Sequence, residues 1–188
     1  MPTYFTGFGA KLETTQGTAI AVGAADHIEL LGPPSWAEGG AGPIIVDAIK
    51  AHMGGAPSLA PHGKFWNCSF ETALRAPATK GAAVEVSPLL QSSGLTETLV
   101  GSTSSTYSMT AVPLAAATDQ SVSLASEETV DGNGYGSFGA RFGWSMSFDT
   151  QSQVKMAWQG IGAYVAPAPL AALTNWTLNG GSPLIYLG

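Results

Sequence analysis

An alternation of apolar and polar residues from Ala140 to Asp149 constrains the fold of this chain more than any other feature of its sequence. The stretch reads ARFGWSMSFD, and a period of two is typical of a β-strand with one buried face. It closely follows the stretch DGNG, and Asp-Gly and Asn-Gly dipeptides supply the positive φ angles that tight turns require. We therefore predict a β-hairpin here and a fold dominated by strands.

Three glycines of the same region, Gly134, Gly136 and Gly139, match the G-x-G-x-x-G pattern of dinucleotide-binding loops. That pattern binds a pyrophosphate only between a strand and a helix, because the helix N-terminus supplies the positive end of a dipole. A strand follows Gly139 here instead. The glycines are therefore predicted to belong to a hairpin, and no cofactor site is expected.

Further segments with the same period predict additional strands. They are Lys64–Arg75, Thr106–Val112 and Ser121–Val130, and a hairpin that joins Ser137–Phe148 to Gln153–Val165. Large apolar side chains at alternate positions of these strands are expected to form the core. The candidate core residues are Trp66, Phe70, Phe142, Trp144, Met146, Phe148, Met156 and Trp158.

Helix signals are few. Ser87 suits an N-cap, Pro88 suits the first helical position and Gly94 suits the C-terminal end, so we predict one short helix there. The segment Ile44–Met53, which follows a proline, is a second short candidate.

The chain of 188 residues is long enough for a sizeable core, and we interpret residues 1–188 as a single domain. Residues 32–63 are rich in glycine and proline and are predicted to form a long loop, a type of connection that is usually functional or ordered by a partner. Residues 167–188 form a C-terminal arm with several large apolar side chains. We expect this arm to dock on its own core or on a neighbouring subunit.

Charged residues are scarce, at 11% of the chain, and 13 carboxylates against 7 basic residues give a net charge of −6. Because charged residues are depleted at interface cores, this composition fits a subunit of an assembly. The acidic balance disfavours tight nucleic-acid binding, which needs clustered Lys and Arg. It is compatible with a surface past which DNA slides without being held.

The sequence contains no motif for catalysis or metal binding that we recognise. His27, His52 and His62 lie in none of the spacings that bind metals, and the single cysteine, Cys68, is predicted to be a buried apolar residue. The longest apolar run, Ile161–Leu173, is too short to span a bilayer. We therefore expect no enzyme activity, no metal, no cofactor and no membrane association.

The order of several features resembles that of a known protein family. The segment Lys11–Thr18, KLETTQGT, is similar to the opening of tail tube (major tail) proteins of long-tailed bacteriophages. A strand ending at Phe70-Glu71, the short helix near Pro88–Gly94 and a Gly-Ala-Arg strand at Gly139–Arg141 follow in the order that the family shows. The resemblance covers roughly residues 8–165 and rests on this order, and the last twenty residues match no family pattern.

The resemblance implies a mainly β, sandwich-like or barrel-like tail-tube fold with one short flanking helix and a long inter-subunit loop, residues 32–63. It also implies hexameric rings that join their hairpins into an inner barrel and stack into a hollow tube, with the loop and the termini ordered between rings. Further implied partners are the tape measure, terminator and distal tail proteins, and the genomic DNA, which passes without specific binding. The expected location is the virion tail, after synthesis in the host cytoplasm.

Polar residues of the predicted hairpin are candidates for the lumen, where an acidic surface would repel the DNA backbone. The candidate lumen-facing residues are Ser145, Ser147, Asp149, Gln151, Gln153 and Gln159. Two other interpretations stay open. One is another virion component with the same fold, such as a tail terminator or distal tail protein. The other is a monomeric β-sandwich that binds carbohydrate through Trp36 and Trp176.

Overall fold

The computed structural model describes residues 5–40, 44–46, 58–60, 63–77, 79–101, 103–109, 120–128, 132–172, 174–177 and 180–186. Within them the chain is mainly β, with antiparallel strands and one α-helix, as predicted. The strands are β1 (Phe5–Leu12), β2 (Ser35–Gly39), β3 (Ile44–Val46), β4 (Ser58–Ala60), β5 (Phe65–Ala73), β6 (Arg75–Pro77), β7 (Leu95–Val100), β8 (Ser104–Met109), β9 (Val122–Glu128), β10 (Asn133–Ser147), β11 (Ser152–Gln153), β12 (Lys155–Tyr164), β13 (Ala168–Pro169), β14 (Gly180–Pro183) and β15 (Ile185–Tyr186). The helix α1 spans Ser87–Ser92, and a single 3-10 turn spans Ala24–Asp26.

The main sheet has the order β1-β9-β10-β12-β5-β2, and each neighbouring pair is antiparallel. The predicted hairpin lies at its centre, where Trp144 of β10 is opposite Trp158 of β12, and Trp158 is opposite Phe70 of β5. Gly139 has a φ of +62° and lies where the register of β10 shifts. The register shift marks a β-bulge at this glycine. Glycine suits the position because the left-handed conformation is strained for other residues.

The segment from His27 to Leu31 connects the two sides of this sheet. His27 pairs with Gly9 of β1, and the amide of Ile28 donates to the carbonyl of Phe8 at 2.8 Å. At its other end Leu30 pairs with Thr72 of β5. The sheet therefore curls into a barrel-like layer whose inner face holds the core.

The core combines side chains from five strands with the helix. Its most buried large members include Phe8, Ile28, Leu89, Met156 and Trp158, and Leu89 belongs to α1. The helix begins at Ser87, with Val86 rather than Ser87 at the N-cap, and Gly94 follows its end with a φ of +92°. The predicted position of the helix is thus confirmed, whereas its predicted cap is wrong.

Five of the predicted core residues, Trp66, Phe70, Phe142, Met156 and Trp158, are buried, and Met146 packs partly buried against the core. Two predictions are wrong: the side chain of Trp144 is 41% exposed and that of Phe148 is 56% exposed. The pairing of β9 with β10 ends at Val122 and Ala140, so β10 extends beyond its neighbour there. Trp144 lies at the rim, with its indole donating to Ser93 Oγ at 3.2 Å, and Phe148 lies beyond the end of β10.

The predicted helix over Ile44–Met53 is wrong where the structure describes it. Ile44–Val46 is the strand β3, which pairs with β4 inside the predicted loop 32–63, and the remaining residues of the prediction lie outside the described part of the chain. In the described residues no helix is long and apolar enough to cross a membrane.

Candidate interaction surface

The outer face of the barrel-like layer has two halves, and the C-terminal arm covers the first of them. Trp176 lies over Gly7 and Gly9 of β1, where added Cβ atoms would lie 1.9 Å and 2.7 Å from its indole ring. Leu170 lies over Gly134 of β10 in the same way, at 3.0 Å. The glycines therefore form a trough that the arm fills. Gly134 belongs to the G-x-G-x-x-G pattern, so its place in this trough explains part of that pattern without a nucleotide.

A buried carboxylate fixes the arm in this trough. Glu127 of β9 is 6% exposed and accepts hydrogen bonds from the backbone amide of Thr174 at 3.1 Å and from the indole of Trp176 at 3.0 Å. The hydroxyl of Thr174 also donates to Glu127. Further along the arm, β14 pairs with β6 and β15 pairs with β11. Of the two expected docking sites, the chain's own core or a neighbouring subunit, the described part of the arm occupies the first.

The KLETTQGT segment supplies a second carboxylate that accepts several hydrogen bonds on the same half of the outer face. The carboxylate of Glu13 accepts hydrogen bonds from Ser121 Oγ at 2.5 Å, Ser123 Oγ at 2.9 Å, and the amides of Gly17 and Gly139 at 2.7 Å each. Burial raises the pKa of Glu13, but these hydrogen bonds outweigh burial, so the pKa lies below its ordinary value. Glu13 thus holds the bulge of β10 against β9.

The second half of the outer face is uncovered by any described segment, and we name it the open face. It consists of three rows across β10, β12, β5 and β2, and every member is exposed. The rows are Arg141, Ile161, Asn67 and Ala37; Gly143, Gln159, Ser69 and Ser35; and Ser145, Ala157 and Glu71. The open face is therefore wide and carries small or uncharged side chains, with one cation and one carboxylate.

The predicted lumen residues divide according to these rows. Ser145 and Gln159 lie on the open face, and Ser147 is exposed one row further, opposite Lys155. Asp149 and Gln151 are exposed in the turn after β10, whereas Gln153 is half-buried and pairs with Ile185 of the arm. The rows of the open face carry one basic and one acidic residue, Arg141 and Glu71, so this face has no net negative charge.

Several residues of the open face did not appear among the sequence candidates. Asn67, Ser69 and Glu71 alternate with the buried Trp66, Cys68 and Phe70, so the period of β5 contained the signal. Ser35 and Ala37 had no such signal, because β2 is a short strand within a segment rich in glycine and proline.

The open face is bordered by two strand edges. β2 is the last strand of the sheet order. On the other side, no described strand pairs with Phe142–Ser147 of β10 on the side of β9, since β9 begins at Val122. Because the four strands alternate in direction, β2 runs antiparallel to β10.

The remaining candidate groups serve the chain's own packing. Trp36 is half-buried, and its indole donates to Ser126 Oγ at 3.1 Å. Trp176 is also half-buried, and its indole donates to the carboxylate of Glu127. Neither tryptophan therefore forms an exposed stacking platform. Cys68 is buried, and burial raises the pKa of its thiol. His27 is buried, and burial lowers its pKa, whereas His52 and His62 lie outside the described residues.

No group of three or more His, Cys, Asp or Glu residues suited to a metal ion occurs in the described part of the chain. Comparison with known proteins adds no assignment, since no protein-family model matches the sequence and no curated protein is detectably similar to it.

Proposed function

We propose that this protein is a structural subunit of a phage tail tube, which forms rings through its sheet edges and stacks into a hollow tube. The observation that carries this proposal is the open face with a strand edge on either side. Exposed edges are pairing sites that proteins usually cover, shorten or use for association. Here two edges border one uncovered sheet face, and the polarity of their strands suits pairing between copies.

The strand directions favour a ring of identical copies. If β2 of one copy lies beside the segment Phe142–Ser147 of the next, the two strands are antiparallel, like the other pairs of the main sheet. Such a contact joins two different surfaces, so it is heterologous and closes into a ring when the rotation between copies permits. The four strands of each open face then become part of one continuous barrel.

The chemistry of the open face suits a channel for DNA. Tight binding to the phosphate backbone depends on clustered Lys and Arg side chains. Each copy would present Arg141 together with Glu71, and otherwise Ser, Gln, Asn, Ala, Gly and Ile side chains. A lumen of this composition gives DNA no strong electrostatic site, which we expect to keep it mobile.

Electron microscopy of the purified protein over a concentration series, with light scattering for mass, tests the proposal. Hollow tubes or stacked rings are the expected result. Rings that never stack would instead favour a tail terminator or distal tail protein. A protein that remains monomeric at every concentration would contradict the proposal.

Cysteine cross-linking tests the proposed edges. We would combine Ala37→Cys with Gly143→Cys, Ser145→Cys or Ser147→Cys, because opposite residues of antiparallel strands lie about 4.5–5.5 Å apart at Cα, within the range for a disulfide. One combination is expected to give a ladder of linked oligomers upon oxidation. Ala37→Cys alone and Ala37→Cys with Leu99→Cys are the matched controls. Rings without cross-linking in any of the three combinations would show that other edges pair.

A further inference from the structure

His27 is a buried ionisable residue at the point where the arm meets the barrel-like layer. It pairs with Gly9 of β1, and the indole of Trp176 lies over that pair, 5.8 Å from the imidazole between ring centroids and 2.7 Å from an added Cβ on Gly9. The amide of Thr177 donates to the carbonyl of Ala24 at 2.9 Å, in the 3-10 turn that precedes His27. Two consecutive arm residues therefore cover the histidine and the turn that leads into it.

This environment favours a neutral imidazole over a charged one. His27 is 8% exposed, and its Nδ1 atom is buried without a hydrogen-bond partner among the described residues. Protonation makes both ring nitrogens donors, so the imidazolium would bury a charge together with a donor that has no acceptor. Burial lowers the pKa of His27, Glu29 raises it and Arg75 lowers it, and the pKa lies below its ordinary value.

The charged side chains around His27 do not remove this cost. Two ion pairs use four of them: Asp26 pairs with Lys11 at 3.1 Å, and Glu29 pairs with Arg75 at 2.7 Å. The charged groups of the neighbouring elements are Lys11 of β1, Asp26 of the 3-10 turn, Glu29 of the same segment, Arg75 of β6, Glu85 before α1 and Glu127 of β9 under the arm.

Glu85 titrates in the opposite sense to His27. Its carboxylate accepts a hydrogen bond from the backbone amide of Glu29, and burial raises its pKa above the ordinary value, although that hydrogen bond and Arg75 lower it. A carboxyl with a raised folded-state pKa contributes more stability as the pH falls. Protonation of Glu85 therefore opposes any loss of structure that protonation of His27 causes.

We propose that protonation of His27 releases the C-terminal arm from the barrel-like layer, which makes this histidine a pH-sensitive switch. Lifting Trp176 brings the imidazole to water, where its charge is solvated and Nδ1 finds an acceptor. The released arm uncovers the trough over Gly7 and Gly9. This inference concerns a single chain and does not rest on the proposed tube function.

The pH range of the switch follows from the pKa of His27 in the two states of the arm. With the arm released, the imidazole is expected to titrate near the ordinary pKa of histidine, about 6.5. With the arm docked, the pKa is lower. Docking is therefore strongest above about pH 6.5 and weakens as the pH falls from there towards the docked-state pKa.

Hydrogen–deuterium exchange with mass spectrometry, corrected for the intrinsic effect of pH on amide exchange, measures how often the arm opens. Residues 174–177 include the amides of Thr174 and Thr177, which donate to Glu127 and Ala24. From pH 7.5 to pH 5.5 their protection is expected to fall about threefold to tenfold, and tenfold is the limit for one histidine with a pKa of about 6.5 in the released state. Peptides from β12 should keep their protection, which separates arm release from unfolding.

His27→Phe is the decisive variant, because it keeps an aromatic ring against Trp176 and takes up no proton. The protection of its arm should be the same at both pH values, and His27→Gln is a second neutral variant. His62→Gln is the matched control, and its arm should lose protection like that of the unmodified protein because His27 is retained. An equal fall in the His27 variants, or no fall in the unmodified protein, would overturn the proposal.

The pKa of His27 gives a test that does not require a substitution at this position. Hydrogen exchange at the imidazole C2 atom, followed by mass spectrometry over a pH series, measures that pKa. It is expected below the ordinary value in the unmodified protein and close to that value, about 6.5, in Trp176→Ala. Equal pKa values in the two proteins would show that the docked arm does not oppose protonation, and the switch would be excluded while the tube proposal remained intact.

Discussion

The indole of Trp176 occupies the space above Gly7 that a larger residue would need, with Nε1 only 1.9 Å from the position of an added Cβ. The contact joins the C-terminal arm to the first strand of the sheet. His27, which pairs with Gly9, also lies against Trp176 with ring centroids 5.8 Å apart. The arm therefore packs over β1 and over the segment that closes the barrel-like layer.

Gly7→Ala is expected to reduce the free energy of unfolding by about 1–3 kcal/mol, because the methyl group overlaps the indole and either the arm or β1 must shift. Urea denaturation measures the change. Gly32→Ala is the matched control, since an added Cβ there meets nothing within 4 Å. In a Trp176→Ala background the cost of Gly7→Ala should largely disappear, and an unchanged cost would show that the indole is not its cause.

Glu127→Ala is expected to release the arm and to cost about 1–3 kcal/mol, because the donors of Thr174 and Trp176 lose a buried acceptor. Limited proteolysis followed by mass spectrometry should show cleavage near residues 166–177 at a much higher rate than in the unmodified protein. Thr177→Ala is the control, since the exposed Thr177 contributes its backbone amide, not its side chain, to the contact with Ala24. Equal cleavage rates in the two variants would contradict the role of Glu127.

The sequence predicted the parts of this fold that depend on local periodicity. The alternation Trp66, Cys68, Phe70 identified the buried face of β5, and the Asp-Gly and Asn-Gly dipeptides identified the hairpin between β9 and β10. These signals are local, because the pleat of a strand sends successive side chains to opposite faces. Four strands of the main sheet, β5, β9, β10 and β12, could therefore be predicted from their own sequences.

The sequence did not predict features that depend on distant strands. The alternation continues through Trp144 and Phe148, but their burial depends on where β9 begins, which β10 does not encode. Likewise, Gly7 and Gly134 leave space for Trp176 and Leu170 of the arm, which are distant from them in the sequence, so neighbouring residues give no sign of this packing. Of the open face, Ser145 and Gln159 could be named from the sequence, because they are polar positions of the predicted hairpin. Ser35 and Ala37 could not, because their place depends on the register of β2 on β5.

Trp158→Phe and Trp144→Phe should differ in their effects on stability. Trp158 is 2% exposed and its indole donates to the buried Thr72 Oγ1 at 2.9 Å, so its replacement leaves a cavity and an unsatisfied hydroxyl, at a cost of about 1–3 kcal/mol. Trp144 lies at the rim, so its replacement should change stability by no more than about 0.5 kcal/mol. Urea denaturation of both variants compares them directly. Similar costs would show that Trp144 is part of the core after all.

Glu13→Gln should reduce the dependence of stability on pH. The pKa of Glu13 is lowered in the folded protein: burial raises it, but the hydrogen bonds from Ser121, Gly139, Ser123 and Gly17 lower it by more. A carboxyl with a lowered folded-state pKa contributes stability that is fully present above its unfolded-state pKa. That contribution is lost as the pH falls through the folded-state pKa, when the carboxylate is protonated.

We therefore expect the unmodified protein to exceed Glu13→Gln in stability near neutral pH and the difference to shrink under acid conditions, below the ordinary pKa of glutamate. Urea midpoints of both proteins, measured from neutral pH downward, test this. Glu38→Gln is a suitable control, because the exposed Glu38 pairs with the exposed Lys64 at the surface, and such pairs contribute little. If the urea midpoints of Glu13→Gln and the unmodified protein differed by the same amount at every pH, Glu13 would stabilise the fold through the shape of its side chain and not through its charge.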